Sequence, residues 1–155
     1  MDTSIIQLTN DEEHLECMKE MVELWNRNAV ETANCELDEE EKKAVQEQIQ
    51  QYIQSTYGVV FAVTNEKSRA VGFGIASMKQ DLVSNTLYGQ IDEIYVSPRY
   101  RRQNIAGNLV DDIMNWFKRK DVSFVHVSVD IENQTALKFW QGIGNFLSSP
   151  NTDLL

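Results

Sequence analysis

Val96-Ser97-Pro98-Arg99-Tyr100-Arg101-Arg102-Gln103-Asn104-Ile105-Ala106-Gly107 decides how the rest of the chain is read. The segment reads as a strand end, a short turn dense in arginine, and the first turn of a helix. Such a junction builds an anion seat. The first N–H groups of a helix have no intrahelical acceptor, and the aligned peptide dipoles put partial positive charge there. With Arg99, Arg101 and Arg102 nearby, a phosphorylated ligand meets both backbone donors and cations. The same residues also fit a solvated basic loop that caps a helix.

Toward the C-terminus, periodicity predicts a helix over 104–120. Ile105, Leu109, Ile113 and Phe117 stack on one face, flanked by Ala106, Val110 and Met114, and Lys118, Arg119 and Lys120 complement its negative end. Residues 124–129 form an unbroken apolar strand, expected to be buried on both faces, with a satisfied His126 inside it. A short helix over 133–141 precedes a glycine-rich bend. Toward the N-terminus lie strands over 87–96, 70–78 and 59–64, with turns at Ser84-Asn85 and Asn65-Glu66-Lys67-Ser68. Gly72 and Gly74 fall inside a strand pattern with no helix after them, so they are no dinucleotide fingerprint.

The first third predicts a strand over 4–8 and two helices. One, over 11–28, carries Leu15, Met18, Met21, Val22 and Trp25 and is capped by Asn10 or Asp11. A polar connector, 29–37, separates it from the other, over 38–56. That helix starts with Asp38 and Glu41 in a capping box and buries Val45, Ile49, Tyr52 and Ile53. The order β-α-α-β-β-β-α-β-α-β gives an α/β fold. It has a mixed, mostly antiparallel sheet with helices on both faces, in one domain spanning 1–155.

The 155 residues carry a formal net charge of -10. That disfavours nucleic-acid binding, which needs surplus Lys and Arg, and favours cationic small molecules. No apolar run approaches a membrane span, and the N-terminus has no signal-peptide pattern, so a cytoplasmic protein is expected. Cys17 and Cys35 lack ligand spacing and paired histidines, which predicts no metal site and two reduced, structural thiols.

A second constellation runs from Glu132 to Phe146, where Asn133 caps a short helix carrying Ala136, Phe139 and Trp140. Alone it reads as structural. Together with the arginine turn, in this order and with this topology, it makes the chain resemble the GNAT family of acetyl-CoA-dependent N-acetyltransferases. The first family motif is V-x-P-x-(Y/x)-(Q/R)-x-x-G-x-(G/A). Val96, Pro98, Tyr100, Arg101 and Ala106 match it, and Asn104 stands at the usual first glycine. The second is N-x-x-A-x-x-F-Y-x-x-x-G-F. Asn133, Ala136, Phe139 and Gly144 match, Trp140 replaces the tyrosine, and Asn145 is inserted before Phe146.

The resemblance implies a fourth strand that splays from the fifth at a bulge. Backbone groups of Ile94, Tyr95 and Val96 would bond the pantetheine arm. Arg101, Arg102, Gln103, Asn104, Ile105, Ala106 and Gly107 would hold the pyrophosphate, and Asn133, Phe139 and Trp140 complete the candidate acetyl-CoA site. Asn104 fits the glycine position because asparagine tolerates positive φ. An alkylamine is protonated at neutral pH and needs a base before it can attack the thioester. Asp92 and Glu93 are the candidates. Strict alternation puts them on opposite faces, and the family's usage favours Asp92. A strand N–H near Tyr95 would steady the oxyanion. Trp140 stands where the family has a tyrosine acid, and an indole cannot deliver a proton.

The implied activity is acetylation of a primary amine on a small cationic acceptor. A catalytically weak acyl-CoA-binding sensor or scaffold is the alternative. A homodimer is a further expectation, since a second copy would cover a short final strand.

Overall fold

The computed structural model describes residues 2–128, 134–143 and 153–154. Six strands form one sheet in sequence order: β1 (Thr3–Gln7), β2 (Gly58–Asn65), β3 (Ala70–Gln80), β4 (Leu87–Val96), β5 (Val125–Ser128) and β6 (Asp153–Leu154). Every neighbouring pair is antiparallel except β4 and β5, which run parallel across the connecting helix α3 (Ile105–Arg119). The mixed sheet is therefore the expected one.

Helices cover both faces. On one, the α3 side chains Ile105, Leu109, Val110, Ile113, Trp116 and Phe117 pack on Val59, Phe61, Ala76, Ile91 and Val127. The predicted α3 stripe is buried throughout. Gly89 allows this close approach, because a Cβ there would lie 2.6 Å from the Phe117 ring. On the other face, α1 (Leu15–Ala33) and α2 (Glu39–Gln54) bury Met18, Met21, Val22 and Ile49 against Val60, Ala62, Phe73, Ile75 and Tyr95. The last helix, α4 (Gln134–Ile143), places Phe139 and Trp140 against the α3-side core.

Several local expectations are corrected. Helix α1 begins after a single 3-10 turn (Glu12–His14) and has no side-chain cap from Asp11. Instead the Thr9 N–H donates to His14 Nδ1 at 2.8 Å. At its other end α1 runs to Ala33, through the first part of the supposed connector. It stops where Asn34 turns left-handed at φ 50° and the N–H groups of Asn34 and Cys35 bond back to Val30 and Ala29. Leu15 is 42% exposed and leaves the stripe, whereas Cys17 and Leu24 join the core. Cys35 is exposed, so only Cys17 is a packed thiol. Burial, then Glu20's charge, pushes Cys17 up to about 11. Strand β5 begins one residue later than expected, and Phe124, 69% exposed, lies outside it.

The α2 capping box forms as read: the Glu41 N–H donates to Asp38 Oδ1 at 2.8 Å and the Asp38 N–H to Glu41 Oε1 at 3.1 Å. Asn65 closes the β2–β3 hairpin, accepting from the N–H groups of Lys67 and Ser68.

Candidate active site

The β3–β4 ladder slips by one residue. Ile75 pairs with Glu93 but Ala76 pairs with Ile91, leaving Asp92 as the extra residue of a β-bulge. The bulge corrects the expectation of opposite faces. Ser77 donates to Asp92 at 2.8 Å and Tyr52 of α2 donates to it at 2.9 Å, with Gln90 as a third donor. Asn28 of α1 donates to Glu93 at 2.9 Å. Both carboxylates therefore meet the face covered by α1 and α2. One extra residue cancels one step of alternation.

Their environments differ. Asp92 accepts from three side chains. Glu93 has one such donor among the described residues. Burial, opposed by the Asn28 hydrogen bond and reinforced by the charge of Asp92, lifts the Glu93 carboxyl above its ordinary value. Tyr52 is pushed up to about 12 by burial and by Asp92, so it stays protonated and donates.

The described β4–β5 ladder covers Gly89–Val125, Gln90–His126 and Ile91–Val127, and the bulge follows it directly on β4. The limb that follows holds Ile94, Tyr95 and Val96, the positions expected to meet a pantetheine arm. Ile94 packs toward α3, and Tyr95 lies in the α1–α2 core.

The arginine turn comes next. A 3-10 turn (Pro98–Tyr100) buries Tyr100, whose hydroxyl accepts from Asn65 Nδ2 at 3.3 Å. Arg102 and Asn104 then take left-handed conformations, φ 67° and 59°. Asn104 is the residue before α3, and none of the described side chains caps that helix start. The first N–H groups of α3, from Ile105 to Gly107, have no intrahelical acceptor by helix geometry. Gly107 leaves room for the Asn104 carboxamide, since a Cβ there would lie 2.3 Å from Asn104 Oδ1. A left-handed turn, uncapped amides and the exposed Arg102 and Gln103 fit a diphosphate.

Arg101 does not face the helix start as the sequence reading supposed. Its Nε donates to the Val96 carbonyl at 2.8 Å and another guanidinium nitrogen to Glu31 at 2.8 Å, and its guanidinium lies 5.5 Å from the Tyr95 ring centroid. The Tyr95 hydroxyl also donates to Glu31, at 2.7 Å. Burial works against the Glu31 charge, but the bonds from Arg101 and Tyr95 and the guanidinium charge hold its carboxyl below the ordinary value.

Trp140 is buried, its ring edge-on to Phe139 at 5.0 Å. Asn133 lies outside the described residues. None of the described residues forms a His, Cys, Asp or Glu group able to hold a metal ion, and no described helix is long and apolar enough to cross a membrane.

Sequence reasoning missed Asn28, Glu31, Tyr52, Ser77 and Gln90. Tyr52 was visible only as part of a buried stripe, and no local spacing ties α1 or α2 to β4.

A bulge carrying two carboxylates and the start of α3 stand at one end of this mixed sheet, and solved structures share the fold. The chain is similar to the aminoglycoside N-acetyltransferase AAC(6')-Iy in complex with CoA, with TM-score 0.76 and 18% identity over 96% of this chain and 90% of that one. It is similar to the 6'-N-acetyltransferase AAC(6')-Ih from Acinetobacter baumannii, with TM-score 0.74 and 18% identity over 96% and 93%. A putative acetyl transferase from Pyrococcus furiosus gives TM-score 0.73 and 19% identity over 96% and 95%. At these identities the likeness establishes the fold. No curated protein sequence matches the chain.

The sequence model of the acetyltransferase (GNAT) family matches residues 18–144, and the chain belongs to that family. It is an acetyl-CoA-dependent N-acetyltransferase.

Proposed function

We propose that the protein acetylates a primary amine on a small cationic acceptor by direct attack on the thioester, and that it works in the cytoplasm. The observation that carries the acceptor's charge is the bulge, which turns Asp92 and Glu93 together toward α1 and α2. Two neighbouring carboxylates attract an ammonium and exclude an anion. The aminoglycoside acetyltransferases that share the fold act on amine-bearing acceptors.

Acetyl-CoA supplies the electrophilic acetyl group. Amides at the start of α3, with Arg102, Gln103, Asn104, Ile105, Ala106 and Gly107, hold its diphosphate in this reading. Backbone groups of Ile94, Tyr95 and Val96 hold the pantetheine arm, and Asn133, Phe139 and Trp140 border it. Arg101 contributes through its backbone, since its guanidinium is held by Glu31.

Of the two carboxylates, Glu93 is the better base. Its raised affinity for a proton, with Asn28 as its side-chain partner among the described residues, suits an acceptor of the ammonium proton. Asp92, held by Tyr52, Ser77 and Gln90, is the fixed counter-charge that keeps the incoming cation in place. Strand N–H groups near Tyr95 donate to the carbonyl oxygen as charge builds on it. Trp140 delivers no proton. A thiol pKa near ~8.5 would let coenzyme A depart as the thiolate, which would then take its proton from water.

A thiol-release assay with acetyl-CoA and a panel of sisomicin, spermidine, free amino acids and peptides tests this. Turnover confined to the polyamine and aminoglycoside arms is the expected result. Acetyl-CoA binding without turnover on any amine would replace it with the sensor or scaffold reading, for which Trp140 argues.

A further inference from the structure

Strand β3 pairs with the limb of β4 after the bulge from Glu93 to Val96, and the described ladder to β5 on the other edge covers Gly89 to Ile91. Read as the strand that meets acetyl-CoA, this limb must be held in place. Two side chains of α1, one helical turn apart, meet two side chains of β4 that share a face. Asn28 donates to Glu93 at 2.9 Å, and Tyr95 donates to Glu31 at 2.7 Å.

Glu31 also accepts from Arg101, which in turn bonds the carbonyl of Val96. One carboxylate thus ties helix α1, the β4 limb and the arginine turn together. An aromatic column backs it. Trp25 of α1 stacks on Phe73 at 5.4 Å with the rings parallel, Phe73 lies 5.9 Å from Tyr95, and the Arg101 guanidinium lies over Tyr95. The helix itself gains nothing from this charge. Glu31 sits in the last turn of α1, where the helix dipole disfavours an anion and no basic side chain offsets it. Its tertiary partners account for it.

We propose that Glu31 is a positioning residue for acetyl transfer: through Tyr95 and Arg101 it holds the β4 limb after the bulge and the arginine turn in one rigid frame. This rests on the reading of that limb and turn as the acetyl-CoA site. A partly exposed pair contributes little to global stability, so the loss of Glu31 shows as a loosened limb rather than an unfolded protein.

The test compares the full chain with Glu31→Gln. The carboxamide this substitution introduces still accepts from Tyr95 but no longer pairs with the Arg101 charge. Amide exchange by mass spectrometry should speed up in a peptide spanning 92–101, with exchange elsewhere unchanged. Calorimetry should show acetyl-CoA binding weakened about fivefold, with Tm nearly constant. In the double variant with Arg101→Gln, affinity should match the weaker single variant, because both remove one interaction. Unchanged exchange and unchanged affinity would overturn the proposal. So would multiplying effects, which would mean that Arg101 meets the diphosphate directly. If Glu31→Gln fails to fold, Tyr95→Phe, which leaves the ion pair, carries the same exchange measurement with the same two outcomes. If the wild type binds no acetyl-CoA, the site reading fails, and the exchange arm still decides whether Glu31 stiffens the limb.

Discussion

Glu93, the proposed base, is where a single residue's surroundings bear on both catalysis and stability. Its carboxyl binds a proton more tightly in the folded chain than in the unfolded one. The sign follows from linkage. As pH rises from the ordinary glutamate value through the raised one, the folded state releases a proton that it holds more tightly than the unfolded state does, so Glu93 subtracts stability. The deficit persists at higher pH. Glu93→Gln should therefore melt higher than wild type at about pH 8, with the gap closing toward about pH 4, as a pair of thermal-shift series will show. Turnover should move the other way. Loss of the base should lower kcat by about 100-fold or more and abolish the acidic limb of the pH–rate profile. A Gln variant with wild-type turnover would return the role to Asp92 or to solvent. The pair Asp92-Glu93 was legible in the sequence as candidate bases. Their shared face was not, because a bulge arises from the register between two strands, and strict alternation is the only rule one strand supplies.

Helix α3 and strand β4 together show what is decided at the level of elements. The α3 stripe, the α2 capping box and the β2–β3 turn were all readable, since each depends on residues within a few positions of one another. The end of α1 was misread: residues 29–33 look polar enough for a connector, yet contacts to Glu93, Tyr95 and Arg101 reward another helical turn. Two substitutions test the α3–β4 junction. Ala106→Leu puts bulk at the helix start and should weaken acetyl-CoA binding at least about tenfold in a calorimetric titration while leaving Tm near wild type. Equal affinity would move the diphosphate elsewhere. Gly89→Ala sets a methyl against the Phe117 ring, and should cost about 1–3 kcal/mol in denaturant unfolding.

Across the whole molecule, two cores sandwich the sheet, and the α1–α2 side meets Asp92 and Glu93. Phe73 lies at its centre, fully buried between Trp25 and Tyr95. Phe73→Ala should cost about 3–5 kcal/mol and lower Tm by on the order of 10 °C, measurable by calorimetric melting. The sequence by itself determined the order of elements, the mixed sheet, the arginine turn entering an uncapped helix, and the family, because all of these rest on periodicity and on short-range spacing. Only the tertiary structure decided which carboxylates share a face, where Arg101 points, and that Glu31 and Tyr52 reach β4. Those facts depend on strand register and helix packing between segments tens of residues apart, where the free energy lies in contacts that no local pattern encodes.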